Sequence, residues 1–254
     1  MPAAAKEILR VCSDPDNLPF SNEKGEGFEN KLAELIAGKL DAKLEYTWFS
    51  EASGYVPNTL GRSACDLVMG YAQGTGLIDD TNPYYYTSYV LLYRENDKSL
   101  AGVDRLSDPR LKGKAIGYVP RTPPASILAL HGLMPTARSF ELRGDGNAST
   151  AATDMIAAVA SGKLDAAILW GPLGAYYAQF AKTPLAIVPL VKETAGPPVI
   201  YGITLGVRPN DPQWKHKLNK LIAENQREIN ALLASYNVPV LDANGNPIAA
   251  TAER

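Results

Sequence analysis

Apolar residues recur at Phe28, Leu32, Leu35, Ile36 and Leu40, the three- and four-residue spacing that gathers side chains on one stripe of a helix. Short runs rich in β-formers, "ILRVCS" and "LEYTWF", flank that stripe. The pattern predicts a strand, a helix and a strand in succession. A third strand is predicted at "DLVMG" (66–70), and another over Tyr89 to Tyr93, at the end of "GTGLIDDTNPYYYTSYVLLYR". Apolar runs bounded by turns and alternating with helices point to a largely parallel sheet covered on both faces.

A second series starts after the charged stretch "RENDKSLAGVDRLSDPRLKG" (94–113). It reads as strand 114–119, helix 123–133, "SFEL" (139–142), helix 150–163, strand 165–169, helix 174–182 and strand 185–190. A strand over 203–207 then leads, through Asn210-Asp211-Pro212, into a long helix. That helix lines up Trp214, Leu218, Leu221, Ile222, Ile229, Leu232, Leu233 and Tyr236. The late strand and helix have no evident room in the second series, so the chain is expected to return to the first. The expectation is an α/β chain of two lobes, each a mostly parallel sheet flanked by helices. Lobe 1 is residues 1–95 plus 201–254, lobe 2 is residues 96–200, and two crossovers fall near 93–103 and 191–202.

Composition narrows the function classes. Of 254 residues, 46% are hydrophobic and 20% charged, as in an ordinary globular chain, and no apolar run has the length of a membrane span. No membrane insertion is expected. The 25 basic and 27 acidic side chains leave a net charge of -2, without the basic stripe that a nucleic-acid partner requires. The start, "MPAAAKEILRV", lacks a signal core, which fits either a cytosolic chain or one whose signal has been removed. With two histidines and two cysteines outside any zinc-ligand spacing, no metal and no cofactor are expected. Nucleophile elbow, phosphate-binding glycine loop and HExxH are all missing, so the chain does not read as an enzyme. His131 reads as a helix-terminal residue satisfying carbonyls, and Asp14 and Asp16 as Asx-turn residues more than as an acid–base pair.

Across most of the chain, in order, "GFENKLAELIAGKL", "CDLVMG", "NPYYYTSYVLLYR", "LKGKAIGYV" and "ASGKLDAAIL" resemble the two-lobed, two-crossover periplasmic solute-binding proteins (type II fold, family 3-like). Within that superfamily "CSDPDNLPFSN", "CDLVMGYAQG", "TPPASILALHGL" and "YNVPVLDANG" are similar to the XoxJ/MxaJ type associated with quinoprotein methanol dehydrogenases. The resemblance implies a periplasmic, monomeric accessory protein. Its implied partner is a PQQ-dependent methanol dehydrogenase that carries calcium or a lanthanide itself. The alternative is a transport receptor for a small organic ligand. Amino-acid-binding relatives place an arginine nine residues before the position of Pro83, to clamp an α-carboxylate, and an acid after the "DAAIL"-type strand, to hold the ammonium. This chain has Gly74 and Trp170 there. A buried ligand charge without a partner is costly, so an ordinary α-amino acid is disfavoured.

In open α/β sheets, ligands meet the loops beyond the carboxyl ends of strands. The loop after strand one carries Asp14, Asn17, Leu18 and Phe20. Leu18-Pro19-Phe20 is either a cleft wall or a staple in which Phe20 folds back on Phe28 or Leu32. Tyr71 follows strand three. Strand alternation puts Tyr84 and Tyr86 on one face and Tyr85 on the other, each either cleft lining or core. In "PRTPPAS", Thr122 is a candidate N-cap and Arg121 a candidate anion partner at free N–H groups, although capping alone and a solvated arginine explain them as well. Trp170 either faces an apolar ligand or partner, or plugs the site. Cys12 and Cys65 sit on strands expected to be neighbours. Their positions along parallel strands differ by several residues, which leaves a bridge open.

Overall fold

A computed structural model describes residues 7–51, 54–74, 76, 78–142 and 148–248. The chain divides into two compact units. Of the described residues, unit 1 takes 7–85 and Gly202–Ser235; unit 2 takes Tyr86–Tyr201 and 236–248.

Unit 1 opens with β1 (Ile8–Ser13), then a polar loop holding a small ladder of β2 (Asp16–Asn17) and β3 (Ser21–Asn22). There follow α1 (Phe28–Lys39), β4 (Lys43–Trp48), the single turn α2 (Tyr55–Asn58), β5 (Leu67–Ala72) and β6 (Asp79–Asp80). β1 lies between β4 and β5 and is parallel to both, with Val11 opposite Tyr46 on one side and Leu67 on the other. α1 starts where the stripe starts. The Asn30 side chain accepts the backbone N–H groups of Gly27 and Asn22, both at 3.0 Å, satisfying donors that the first turn leaves free. Phe28, Leu32, Ala33, Ile36 and Ala37 form its buried face, while Leu35 and Leu40 are half-buried.

Unit 2 contains β7 (Tyr85–Arg94), β8 (Ile116–Tyr118), α3 (Pro123–Leu130), β9 (Arg138–Ser139), α4 (Ala148–Ala160), β10 (Ala166–Trp170), α5 (Gly171–Ala178) and β11 (Leu185–Pro189). β10 sits between antiparallel β7 and parallel β8, β9 extends β8 in parallel, and β11 pairs antiparallel with β7. Leu91, Ile116, Ile127, Leu128, Ile168 and Leu190 are at the centre of its core. The Arg94 guanidinium closes one end of α4 by donating to the carbonyls of Val159 (2.7 Å) and Leu164 (2.8 Å).

β12 (Ile200–Val207), from Gly202 onward, returns to unit 1 and runs antiparallel to β5 and β6. α6 (Pro212–Ser235) follows, its first turn held by the Asp211 carboxylate accepting the Trp214 N–H at 3.1 Å. Leu218, Ile222, Ile229 and Leu233 are its buried stripe. Asn225 departs from helical geometry and turns its amide back to the Leu221 carbonyl, so the helix kinks there.

The expected division differs from this one in two places. Residues 86–95 belong to unit 2, where β7 pairs with β10 and β11 from Tyr89 to Arg94. The chain beyond Tyr236 also joins unit 2: Leu241 N–H donates to the Tyr86 carbonyl, the Thr87 hydroxyl donates to that of Pro239, and Tyr236 lies ring to ring with Tyr176. The chain therefore passes between units at 85/86 and 201/202, and a third time at 235/236. Each sheet also mixes antiparallel members into its parallel centre.

Candidate functional site

In unit 1 the carboxyl ends of β1, β4 and β5 bring three acids together. Asp14, 9% exposed, ends β1; its Oδ1 accepts Asp16 N–H (2.9 Å) in an Asx turn and its Oδ2 accepts Glu51 N–H (2.6 Å). Glu51 follows β4, and the half-buried Asn17 side chain donates to its Oε2 at 3.1 Å. Glu29, in the first turn of α1, is 3% exposed. Its carboxyl lies so close over Gly70 that a Cβ there would collide with it, which fits Gly70's positive φ of 69°.

Burial and neighbouring charge raise two of these acids. Burial, then the Glu51 charge, pushes the Glu29 carboxyl well above the ordinary carboxylate range. Glu51 is pushed up to about 7, first by the protein packed round its carboxyl and then by Asp14, against the Asn17 hydrogen bond. As a residue Glu51 is exposed and stands at the rim, so water screens it and the direction is what the argument uses. Tyr55, Tyr71, Tyr84 and Tyr85 surround the group, each raised by burial first and then by Glu29, Glu51 or neighbouring phenols. Among the described residues no cation acts on Glu29, Glu51 or these phenols.

The loop residues singled out from sequence fall into this frame unevenly. Phe20 takes the staple: its ring is 5.3 Å from Phe28, and Phe28 in turn meets Tyr85 edge-on at 6.4 Å. Leu18 is half-buried beside it. Tyr71 packs with Tyr55 on the cluster around Cys12 and Cys65. Those cysteines form a disulfide, with Cα atoms 5.6 Å apart. Strand register alone would put Val68 opposite Cys12. The segment before β5 instead crosses the face of β1, tied down by Thr47, whose hydroxyl donates to the Ala64 carbonyl at 2.8 Å. Tyr84 and Tyr85 are buried in unit 1, whereas Tyr86 is half-buried in unit 2, bridged to Leu241.

In unit 2, Trp170 ends β10 and is the N-cap residue of α5. It packs edge-to-face with Tyr89 (5.2 Å) and Tyr201 (5.7 Å). Next to it Gly171 is so close to the Ser88 carbonyl, Pro239 and Thr87 that a Cβ has no room. The start of α5 is thus filled by the unit's own chain. Thr122 holds the N-cap position of α3, but its hydroxyl donates to the Val119 carbonyl (2.6 Å) and caps nothing. The expected row of free N–H groups is also depleted, because Pro123 and Pro124 contribute none. Arg121 is solvated, its side chain 86% exposed and 4.0 Å from an equally open Glu141. His131 ends α3 with Nε2 3.5 Å from the buried Glu193 carboxyl. Glu29, Glu51, Tyr55, Tyr89 and Tyr201 were not marked as site residues by sequence.

Gly74, at the position where amino-acid-binding relatives carry a carboxylate clamp, has a left-handed φ of 83° and gives its N–H to Asp80 at 2.7 Å. An arginine there would strain the backbone as well as change the charge. Among the described residues no group of three His, Cys, Asp or Glu is placed to hold a metal, and no helix is long and apolar enough to cross a membrane.

The two-unit α/β architecture with ligand-side loops at the sheet ends is that of a solute-binding protein. The chain belongs to the bacterial extracellular solute-binding proteins, family 3, whose model matches residues 9–238. Within that family it is of the XoxJ/MxaJ type. It is 40% identical to the periplasmic binding protein XoxJ from Methylobacterium extorquens AM1, with a TM-score of 0.77 over 92% of this chain and 99% of that one. MxaJ from Methlophaga aminisulfidivorans MPT is 26% identical, with a TM-score of 0.78 over 92% and 100%. Protein MoxJ from Paracoccus denitrificans is 26% identical over 93% of this chain and 90% of its own length. An ancestral cationic amino acid solute-binding protein, 22% identical with a TM-score of 0.68, shares the fold.

Proposed function

We propose that this chain is a periplasmic, non-catalytic accessory protein of a PQQ-dependent methanol dehydrogenase system, acting as a monomer by binding the dehydrogenase or assisting its maturation. What carries the reading is the pairing of 40% identity to XoxJ along almost the whole chain with the replacement of both amino-acid anchors. Gly74 sits in a left-handed turn, and Trp170 is packed between Tyr89 and Tyr201 above a filled helix start. Neither arrangement can receive an α-amino acid's charges. The test is a mixture of the purified protein with purified PQQ-dependent dehydrogenase, read by analytical ultracentrifugation and by PQQ occupancy and turnover. Complex formation, or a rise in occupancy or turnover, supports the reading; a dehydrogenase unchanged in all three overturns it.

The acids of unit 1 favour a second reading. A receptor for a small organic solute other than an ordinary amino acid would use Asp14, Glu29 and Glu51 to receive a positively charged group, and would hand the solute to a membrane permease. A solute that raises the melting temperature by selecting the bound state supports it.

A further inference from the structure

In unit 2, α4 and α5 lie side by side and leave between them a cavity of about 440 Å³. Ile156, Ala157 and Ala160 of α4 wall one side, and Tyr177, Phe180 and Ala181, at and just beyond the end of α5, wall the other. Thr153, Ala157 and Ala160 recur at four- and three-residue spacing, so one stripe of α4 carries small side chains and leaves the room. The size is that of a small-molecule pocket, for which about 300–1,000 Å³ is usual. Another side of α5 is already covered: Tyr176 stacks on Tyr236 at 6.3 Å, and Gln179 accepts the Asn237 amide at 3.2 Å. Phe180 is held edge-on to Tyr176 at 5.4 Å and is 66% exposed, more than any other large apolar side chain among the described residues. An exposed ring beside an apolar cavity marks a place where something apolar is received.

The polar groups of the lining decide what else the occupant carries. Thr153, Ser161 and Thr183 have given their hydroxyl protons to the carbonyls of Thr150 (2.9 Å), Ala158 (3.2 Å) and Ala160 (3.4 Å). Lys182 is the one charged side chain in the lining, and among the described residues its ammonium makes no ion pair. An apolar body that ends in one negative charge complements this set. An alkylamine would meet like charge, and a sugar would find no unspent donor except the lysine. A phosphate monoester brings about −1.5 to −2 charges at pH 7, more than one lysine answers.

We propose that the cavity between α4 and α5 binds an amphiphilic carboxylate of medium chain length, its hydrocarbon between Ala157, Ala160 and Phe180 and its carboxylate at Lys182. The hydrocarbon supplies most of the affinity, because it takes Phe180 and the alanine stripe out of water. Lys182 is exposed, so its ion pair favours an anion over a neutral head by only about two- to fivefold. The site lies in unit 2 alone and requires neither a docked dehydrogenase nor a transported solute.

The experiment is titration calorimetry of the full chain with octanoate, with 1-octanol, octylammonium and acetate as parallel titrants. The expected result is a single octanoate per chain, bound about two- to fivefold tighter than 1-octanol at low salt, with the preference shrinking at about 0.5 M salt. Octylammonium should bind more weakly than 1-octanol, and acetate, which has no body to bury, should give no heat. Lys182→Met should erase the preference for octanoate while both still bind. Ala157→Trp, at an exposed position of α4, fills the cavity and should weaken both by about tenfold or more. Phe180→Ser removes the facing wall and gives the same reading through a second variant. Melting curves within a few degrees of the parent separate a changed cavity from lost folding. The proposal falls if octanoate gives no saturable heat, if octylammonium binds as well as octanoate, if Lys182→Met keeps the preference, or if the folded Ala157 and Phe180 variants bind like the parent. A dehydrogenase complex lost in Ala157→Trp, with no octanoate bound by the parent, would give the cavity to a protein partner and overturn it as well.

Discussion

Breaking the Cys12–Cys65 disulfide should cost about 4 kcal/mol. The two cysteines are 53 residues apart in sequence and both fully buried. On the loop-closure relation, a closed loop of that size removes about 14 cal/mol/K from the denatured chain, which is about 4 kcal/mol at 25 °C. The loop encloses β2, β3, α1, β4 and α2, and with them Glu29 and Glu51, so the effect belongs to unit 1. Urea titration of the oxidised protein, the reduced protein and Cys12→Ala/Cys65→Ala measures it. A 4 kcal/mol loss in unit 1 corresponds to a melting transition lower by roughly 15 °C. Hydrogen exchange should show amides of residues 14–51 losing protection while β10 of unit 2 keeps its own. Reduction that lowers stability by less than about 1 kcal/mol would refute the reasoning. It would mean that the reduced denatured chain is already as restricted as the cross-linked one, and that loop length is the wrong quantity to count.

Three further outcomes follow from the same geometry. Glu29 and Glu51 have raised folded-state pKa values, so the folded form holds their protons longer than the unfolded chain does; their share of stability is present below about pH 4.5 and is lost as pH rises towards and past about 7. Glu29→Gln should therefore gain melting temperature over the parent progressively from pH 5 to 8, and a constant difference would contradict the coupling. Arg94→Met takes its donor from the Leu164 carbonyl and leaves that of Val159 with the Gly162 N–H alone, and should destabilise unit 2 by about 1–3 kcal/mol in urea titration. Gly27→Ala drives a methyl into the Phe20 carbonyl, which accepts the Glu29 N–H at 2.9 Å; a loss of about 3 kcal/mol or more, with altered near-ultraviolet aromatic signals, is expected.

The architecture was legible where burial writes a period. Phe28, Leu32 and Ile36 mark α1, and Leu218, Ile222, Ile229 and Leu233 mark α6, because each helix has one buried face. The assignment of Tyr84 to Tyr86 was not, since three like residues in a row say nothing about where a chain changes units. Glu29 escaped notice for a related reason. An acid in a first helical turn reads as a solvated partner of the helix dipole, yet here Gly27 to Asn30 are all buried in succession. Glu51 lies in the polar stretch "SEASG", whose composition predicts only a loop. Its meeting with Asp14 is made by strand order, because β1 and β4 are parallel neighbours and end together.

The tryptophan at the end of β10 carries the sharper argument about function. An aspartate at an N-cap accepts an N–H of the first turn and is worth about 1 kcal/mol over a residue that cannot. Trp170 makes no such bond at the start of α5, so that term is forfeited together with any anchor for a ligand's ammonium. Its two edge-to-face contacts, with Tyr89 and Tyr201, return about 0.5–1.5 kcal/mol each beyond the area they bury. The aromatic packing offsets the missing cap and leaves the start of α5 without an acid. Unit 1 differs, because burial and neighbouring charge raise Glu29 and Glu51 and their share of stability is lost as pH rises past neutrality.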